Sequence, residues 1–253
     1  MLGRLLPLAI RDRLYEYTCR PPIIPTDSSQ EQGAHRNYSQ EVARSQRYFN
    51  PFSPLIYDAV LYGVISKFAW GCSISRLDAH YRKYVSSNHL EVGVGTGYLL
   101  DRVRFETTAP RLALMDLSSS CQKTRQKVAR YAPEVYTQNL LEQIAHRPAP
   151  FDSIGINYVM HCVPGSFAEK GIAFRHLTKL LSDHGVLFGT SVLSESANKN
   201  LLARLFMWLM NAMGVFNNRR DNAAQLKMAL ETCGMLVYFE IVGVTAFFAI
   251  KKC

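Results

Sequence analysis

Residues 90–98, Leu-Glu-Val-Gly-Val-Gly-Thr-Gly-Tyr, constrain the fold of this chain more than any other stretch. Glu91 closes a short apolar run, Gly93, Gly95 and Gly97 follow at alternate positions, and Tyr98–Val103 reads as the start of a helix. A strand that breaks into glycines and opens a helix lets backbone N–H groups approach a ligand, because glycine tolerates φ > 0 and has no Cβ. The dinucleotide fingerprint G-x-G-x-x-G requires glycine where Tyr98 stands. The pattern here is E-x-G-x-G-x-G.

The rest of the chain supplies the elements around this turn. Arg111–Leu117 reads as a buried strand ending in Asp116, with Ser118 or Ser119 placed to cap a helix over 120–131. Val135–Gln138 is a third strand leading to Asn139-Leu140-Leu141, and Phe151–Met160 is a fourth, running into His161-Cys162-Val163-Pro164-Gly165. A helix is expected over 167–182, stopping at Gly185, and then a fifth strand at Val186–Val192. Helices at 198–213 and 222–233 follow. Met235–Val242 and Thr245–Lys251 are two β-rich runs with only Gly243-Val244 between them, too close for a helical crossover, so they pair antiparallel. This is an α/β chain with a doubly wound, mostly parallel seven-stranded sheet whose last strand is antiparallel.

Upstream, 51–70 reads as an aromatic-rich amphipathic helix carrying Tyr57 and Tyr62, and Ile74–Val85 as another helix. Residues 1–50 differ in character. Pro21-Pro22, Pro25 and the polar run 26–33 divide a helix at about 2–17 from one at about 38–48. They are expected to form an N-terminal helical cap or lid, or a tail, on a catalytic domain spanning 51–253.

With 48% hydrophobic residues the chain can bury a real core. Lys and Arg number 29 against 20 Asp and Glu, a net +9, but the basic residues are scattered and their densest group, Lys123, Arg125, Lys127 and Arg130, is spaced as a solvated helix face. That dispersal argues against a nucleic-acid partner. The six cysteines form no C-x-x-C and no metal-ligand spacing with the seven histidines, so reduced thiols in a cytoplasmic protein without a metal are expected. The apolar 1–10 stretch is broken by Arg4 and Pro7, and 201–216 is shorter than a bilayer span and contains Arg204 and Asn211. No transmembrane span is expected.

Ligands of open α/β sheets bind at the carboxyl ends of the strands, and the polar residues fall there. Asp116, 19 residues after Gly97, is placed either to accept two hydrogen bonds from cis ribose hydroxyls or to cap the next helix. Asn139 is a turn residue or a reader of a base edge. His161 is a general base, or a histidine bonded to backbone at the core edge. Tyr57 and Tyr62 are core residues, or close over the ligand.

The E-x-G-x-G-x-G loop, with this order of strands and the closing hairpin, resembles motif I and the Rossmann-like fold of the class I S-adenosylmethionine-dependent methyltransferases, over roughly residues 85–251. The resemblance implies that S-adenosyl-L-methionine lies on Glu91, Gly93, Gly95 and Gly97, with its ribose on Asp116. Its adenine lies between Leu117 and Leu140 with the edge at Asn139, and Asn157 and Tyr158 occupy motif IV. Where nucleic-acid and protein N-methyltransferases often carry (Asn/Asp)-Pro-Pro-(Tyr/Phe), this chain has Asn157-Tyr158-Val159-Met160 and lacks both prolines, which argues against an amino-purine or glutamine target. The segment from Tyr48 through the loop, with Asn-Tyr-Val-Met-His-Cys-Val-Pro-Gly, is similar to small stand-alone microbial and fungal natural-product methyltransferases. The expected activity is in-line methyl transfer to a small secondary metabolite, polyketide- or peptide-derived, with His161 and Tyr57 as catalytic candidates. Two alternatives stay open: the same fold and cofactor used as a cyclase, pericyclase or lyase, and an RNA-directed methyltransferase or nucleic-acid-binding protein. The acceptor atom and the oligomeric state are not legible in one chain.

Overall fold

The computed structural model describes residues 59–117, 120–144, 148–196 and 198–252. The expected helices and cap within 1–58, Tyr57 among them, and the cap at Ser118 or Ser119 lie outside the described residues. Seven strands form one sheet: β1 (Asn88–Val92), β2 (Arg111–Asp116), β3 (Glu134–Thr137), β4 (Phe151–Asn157), β5 (Leu181–Val192), β6 (Met235–Val242) and β7 (Thr245–Lys251), in the order β3-β2-β1-β4-β5-β7-β6. The first five are parallel neighbours. β7 is antiparallel to both β5 and β6, so the last strand of the chain is inserted between two earlier ones. The chain order reverses between β1 and β4, the place where open α/β sheets leave a crevice.

Period-two alternation gives the sheet two apolar faces. Leu90, Val92, Ala113, Met115, Ile154 and Ile156 point to one face, covered by α4 (Phe167–Lys170), α5 (Ile172–Thr178) and α7 (Ala223–Glu231). Phe188, Val192, Phe247 and Ala249 point to the other, under α1 (Ile74–Tyr84), α6 (Leu201–Met213) and a π-helical segment, Ala59–Ala69. On that side Leu112 and Leu114 take α2 (Tyr98–Arg102) and α3 (Ser120–Lys127).

The helix starts are written in the sequence. Ser73, Asn200 and Asn222 each cap a helix by accepting a backbone N–H three residues on, and Ser166 with Glu169 forms a capping box. Four expectations shift. The helix before the sheet has π geometry, with Trp70 N–H on Ile65 O at 2.9 Å. The helix over 167–182 has a turn at Gly171 and ends at Thr178. Gly185 is no helix stop: it lies inside β5, where a Cβ would stand 2.9 Å from Phe151 O. A bulge between Phe151 and Ser153 lets β4 pair first with Leu181 and then with Val186. The helix expected over 120–131 ends at Lys127 and passes into a 3-10 turn, Ala129–Tyr131.

Candidate active site

β1 delivers its chain directly into the glycine turn. Gly93, Gly95 and Gly97 all have positive φ (68°, 49° and 69°), a conformation that favours glycine. The three glycines differ in what surrounds them. A Cβ at Gly93 would stand 2.1 Å from Val159 Cγ2, and one at Gly97 2.7 Å from Thr124 Cγ2. A Cβ at Gly95 would meet nothing within 4 Å. The outer glycines are therefore required by packing, while Gly95 borders open space. α3 holds the loop from outside, with Thr124 Oγ1 donating to Gly95 O at 3.0 Å and Lys127 Nζ to Thr96 O at 3.2 Å. The sequence carries no sign of Thr124 and reads Lys127 only as part of a solvated basic face, because α3 meets the loop only in the fold.

Glu91 points from β1 to the face beneath α1 and is 6% exposed. Its Oε2 accepts from Tyr81 OH at 2.6 Å and lies 3.0 Å from His89 Nε2. Gly155 opposite on β4 makes room for it: a Cβ there would be 2.8 Å from Oε2. His89 had a local signal, since it lies two residues before Glu91 on the same strand face. Tyr81 and Gly155 had none.

At the end of β2, Asp116 and Leu117 are half-buried, and the backbone there is tied to the next strand by Gln138 N–H on Asp116 O at 3.3 Å. Asn139 is committed to its own turn. Its Oδ1 accepts Leu141 N–H at 3.1 Å, and its amide donates to Glu142 at 2.8 Å. The turn alternative describes it better than base-edge reading. Leu140 packs partly against the core, and its carbonyl is 2.9 Å from His176 Nδ1.

At the end of β4, Asn157 is 9% exposed; its Oδ1 accepts from Thr190 Oγ1 at 3.3 Å, and its Nδ2 is buried with no hydrogen-bond partner among the described residues. An orphaned buried donor costs about 1–3 kcal/mol, so it marks a position that a ligand acceptor can satisfy. Tyr158 has φ 56°, and this turns its hydroxyl inward to Ser66 of the π-helical segment at 3.3 Å, where burial raises its pKa. The residue as a whole is half-buried.

His161 has the backbone-bonded setting at the core edge. The residue is 4% exposed, its Nδ1 takes Val192 N–H at 3.4 Å, and its ring meets Phe216 edge-on at 4.4 Å. Burial, aided by the Lys170 charge, lowers its pKa to about 3. An imidazole that holds a proton so weakly is a poor base near neutrality. Burial likewise pushes the neighbouring Cys162 thiol up to about 12.

The π-helical segment roofs this end of the sheet. Tyr62 stacks on Tyr98 at 4.3 Å, directly after the last loop glycine, and Arg102 lies 4.1 Å from the other residue of the stack, Tyr98. Trp70 packs against Phe206 of α6. α6 buries Ala203 and Met207 and leaves Leu201, Leu205 and Trp208 exposed among the described residues. An open cleft is lined by Asp78, Arg82, Asp101 and Arg130. Its charges are paired as Arg82–Asp78 and Arg130–Asp101. Among the described residues no cluster of metal-ligating side chains occurs, and no helix is long and apolar enough to cross a membrane.

Comparison with known proteins places this arrangement. A methyltransferase-domain family matches residues 90–187, from the end of β1 into β5. The chain is 36% identical to demethylluteothin O-methyltransferase of Streptomyces thioluteus over 74% of its own length and 82% of that protein. It is 34% identical to methyltransferase ctvB of Aspergillus terreus, over 82% of the chain and 94% of that protein. Among solved structures it shares its fold with the N-methyltransferase NodS of Bradyrhizobium japonicum WM9 in complex with S-adenosyl-L-homocysteine. The TM-score is 0.54 at 14% identity, covering 84% of this chain and 98% of the other.

Proposed function

Since the chain belongs to the class I S-adenosylmethionine-dependent methyltransferases, we propose that it methylates a hydroxyl oxygen of a small secondary metabolite, with the cofactor seated on the glycine turn. The name of the Streptomyces thioluteus relative, an O-methyltransferase of demethylluteothin, supports an oxygen acceptor and a small-molecule substrate. The observation that carries the seat is the contrast among the three glycines. The space beside Gly93 and Gly97 is filled by Val159 and Thr124, whereas the space beside Gly95 is open among the described residues. The unpartnered Asn157 Nδ2 at the neighbouring strand end supports the same seat, since it lacks only an acceptor.

In this reading the backbone of 93–97 holds the amino-acid part of the cofactor beside Glu91. Asp116 accepts the two ribose hydroxyls, and Leu117 and Leu140 flank the adenine. Asn139 shapes the adenine pocket through its turn and leaves the base edge to neighbouring backbone. Asn157 Nδ2 donates to a ligand oxygen at the methyl-transfer end. Tyr158, tied to Ser66, fixes the π-helical roof over the strand ends rather than touching ligand. The bound cofactor supplies a sulfonium methyl group for in-line displacement by the acceptor. Catalysis by the protein is then mainly orientation and exclusion of water. His161 serves orientation too: its bond to Val192 N–H and its contact with Phe216 hold the segment after β4 in place. Tyr57 and the segment 1–50 remain proposed contributors to the cover of the acceptor.

Calorimetry with S-adenosyl-L-homocysteine tests the seat. Gly95→Arg and Asp116→Ala are each expected to lower affinity at least about tenfold, roughly 1.4 kcal/mol. Unchanged binding in both variants would remove the assignment. Incubation with S-adenosyl-L-methionine and a metabolite extract tests the chemistry, which predicts a product heavier by one methyl group together with released S-adenosyl-L-homocysteine.

A further inference from the structure

Beneath the glycine turn lies a buried polar chain whose proton count is determined by its geometry. Tyr81, His89 and Ser153 are fully buried, and Glu91 nearly so. At one end Ser86 Oγ donates to Asn88 O at 3.0 Å, so the 2.8 Å contact between Ser86 Oγ and Ser153 Oγ uses the proton of Ser153. Ser153 Oγ also accepts Ser86 N–H at 2.8 Å. With its own proton committed, Ser153 meets His89 Nδ1 at 2.8 Å as an acceptor, which puts a proton on Nδ1. At the other end Tyr81 OH stands 3.2 Å from His89 Nε2 and 2.6 Å from Glu91 Oε2, and its one proton goes to the carboxylate oxygen, the shorter contact. His89 Nε2 stands 3.0 Å from that same oxygen. Two lone pairs at this separation repel, so one further proton lies between Nε2 and Oε2.

We infer that Tyr81 and His89 are positioning residues that fix the Glu91 carboxylate by donating to one of its oxygens and, through the shared proton, make the Glu91–His89 pair electrically neutral. Gly155 completes the fitting, since a side chain there would displace Oε2. The acid of the loop thus presents a ligand with one fixed oxygen and no net charge. The consequence rests on the cofactor seat proposed above. Charge at Glu91 does not favour the cationic S-adenosyl-L-methionine over S-adenosyl-L-homocysteine, which carries one positive charge fewer, so product and cofactor are discriminated by other contacts.

Two measurements decide this. Nitrogen NMR of the histidine rings, with the His89 signals identified by their loss in His89→Gln, is expected to show both nitrogens protonated in the wild type. In Glu91→Gln the amide donates to Nε2, and that nitrogen is expected to lose its proton. An unprotonated Nε2 in the wild type, or no change in Glu91→Gln, would overturn the inference. Calorimetry with both ligands reads the charge. In His89→Gln the amide keeps a donor for Glu91 but brings no charge, so the affinity ratio of S-adenosyl-L-methionine to S-adenosyl-L-homocysteine should rise about fivefold. Equal weakening of both would show a merely structural role and overturn the charge assignment. Tyr81→Phe removes a donor without changing charge and should weaken both ligands alike; a shifted ratio there counts against the inference. Should the wild type bind neither ligand, the cofactor seat fails, while the NMR result still decides the shared proton.

Discussion

His161 and His80 are 4% and 6% exposed, and burial is the leading reason their pKa values fall from 6.5 to about 3 and about 4. In the unfolded chain both rings take up a proton near 6.5, while in the fold both stay neutral until the pH is far lower. The unfolded state therefore binds more protons across this window, and stability falls as the pH falls through it. Between pH 7 and pH 5 each ring contributes a loss of about 2 kcal/mol. Asp221 acts in the opposite sense. Burial raises its pKa from 3.8 to about 6, so the folded carboxyl protonates first and returns about 1 kcal/mol over the same interval. Glu134 and Glu240 are held low by hydrogen bonds from Arg111 and Tyr238, and they titrate below this range. Together these three groups are expected to cost about 2 kcal/mol from pH 7 to pH 5, a sizeable share of the roughly 5–15 kcal/mol that holds a typical domain together. Urea unfolding of the full chain at the two pH values measures it. His161→Asn keeps an acceptor for Val192 N–H but cannot titrate, so the pH 7 to pH 5 difference should fall by about 2 kcal/mol from the wild-type value. If His161→Asn shows the wild-type difference, the buried imidazole is not its source and the reasoning is refuted.

Other outcomes follow from the same coordinates. Gly93→Ala puts a Cβ 2.1 Å from Val159 Cγ2 at a positive φ, and thermal or urea unfolding should show a loss of about 3 kcal/mol. Gly95→Ala has free space and should lose only about 1 kcal/mol of stability, while its affinity for S-adenosyl-L-homocysteine drops roughly tenfold. The reverse ranking would place the ligand elsewhere. Lys170 and Asp221 form an ion pair at 2.7 Å with both side chains fully buried. Lys170→Met strands the carboxylate and should cost about 3–5 kcal/mol by urea titration. A loss below ~1 kcal/mol would mean that the carboxyl is already neutral in the fold.

Several features were legible in the residues because they depend on near neighbours. Alternation of apolar runs with capped helices determined the order of elements, and the two-residue link at Gly243-Val244 required an antiparallel ending. The E-x-G-x-G-x-G spacing placed a ligand loop at the end of β1. Local reasoning cannot say which outer strand a hairpin presents to the sheet; that β7 pairs with β5 and leaves β6 at the edge depends on contacts between segments more than fifty residues apart. Nor does chain position fix the direction of a side chain leaving a strand end. For His161 and Tyr158 the sequence does not foretell that the first is buried against Val192 and Phe216 and that the hydroxyl of the half-buried second lies on Ser66. Tyr81, Ser153 and Gly155 look unremarkable in the sequence, yet the fold gathers them around Glu91. The sequence by itself determined the architecture and the address of the ligand loop, through periodicity and turn chemistry. Tertiary packing decided which polar groups are left to serve a ligand, since burial and hydrogen-bond pairing arise only when distant segments close on one another.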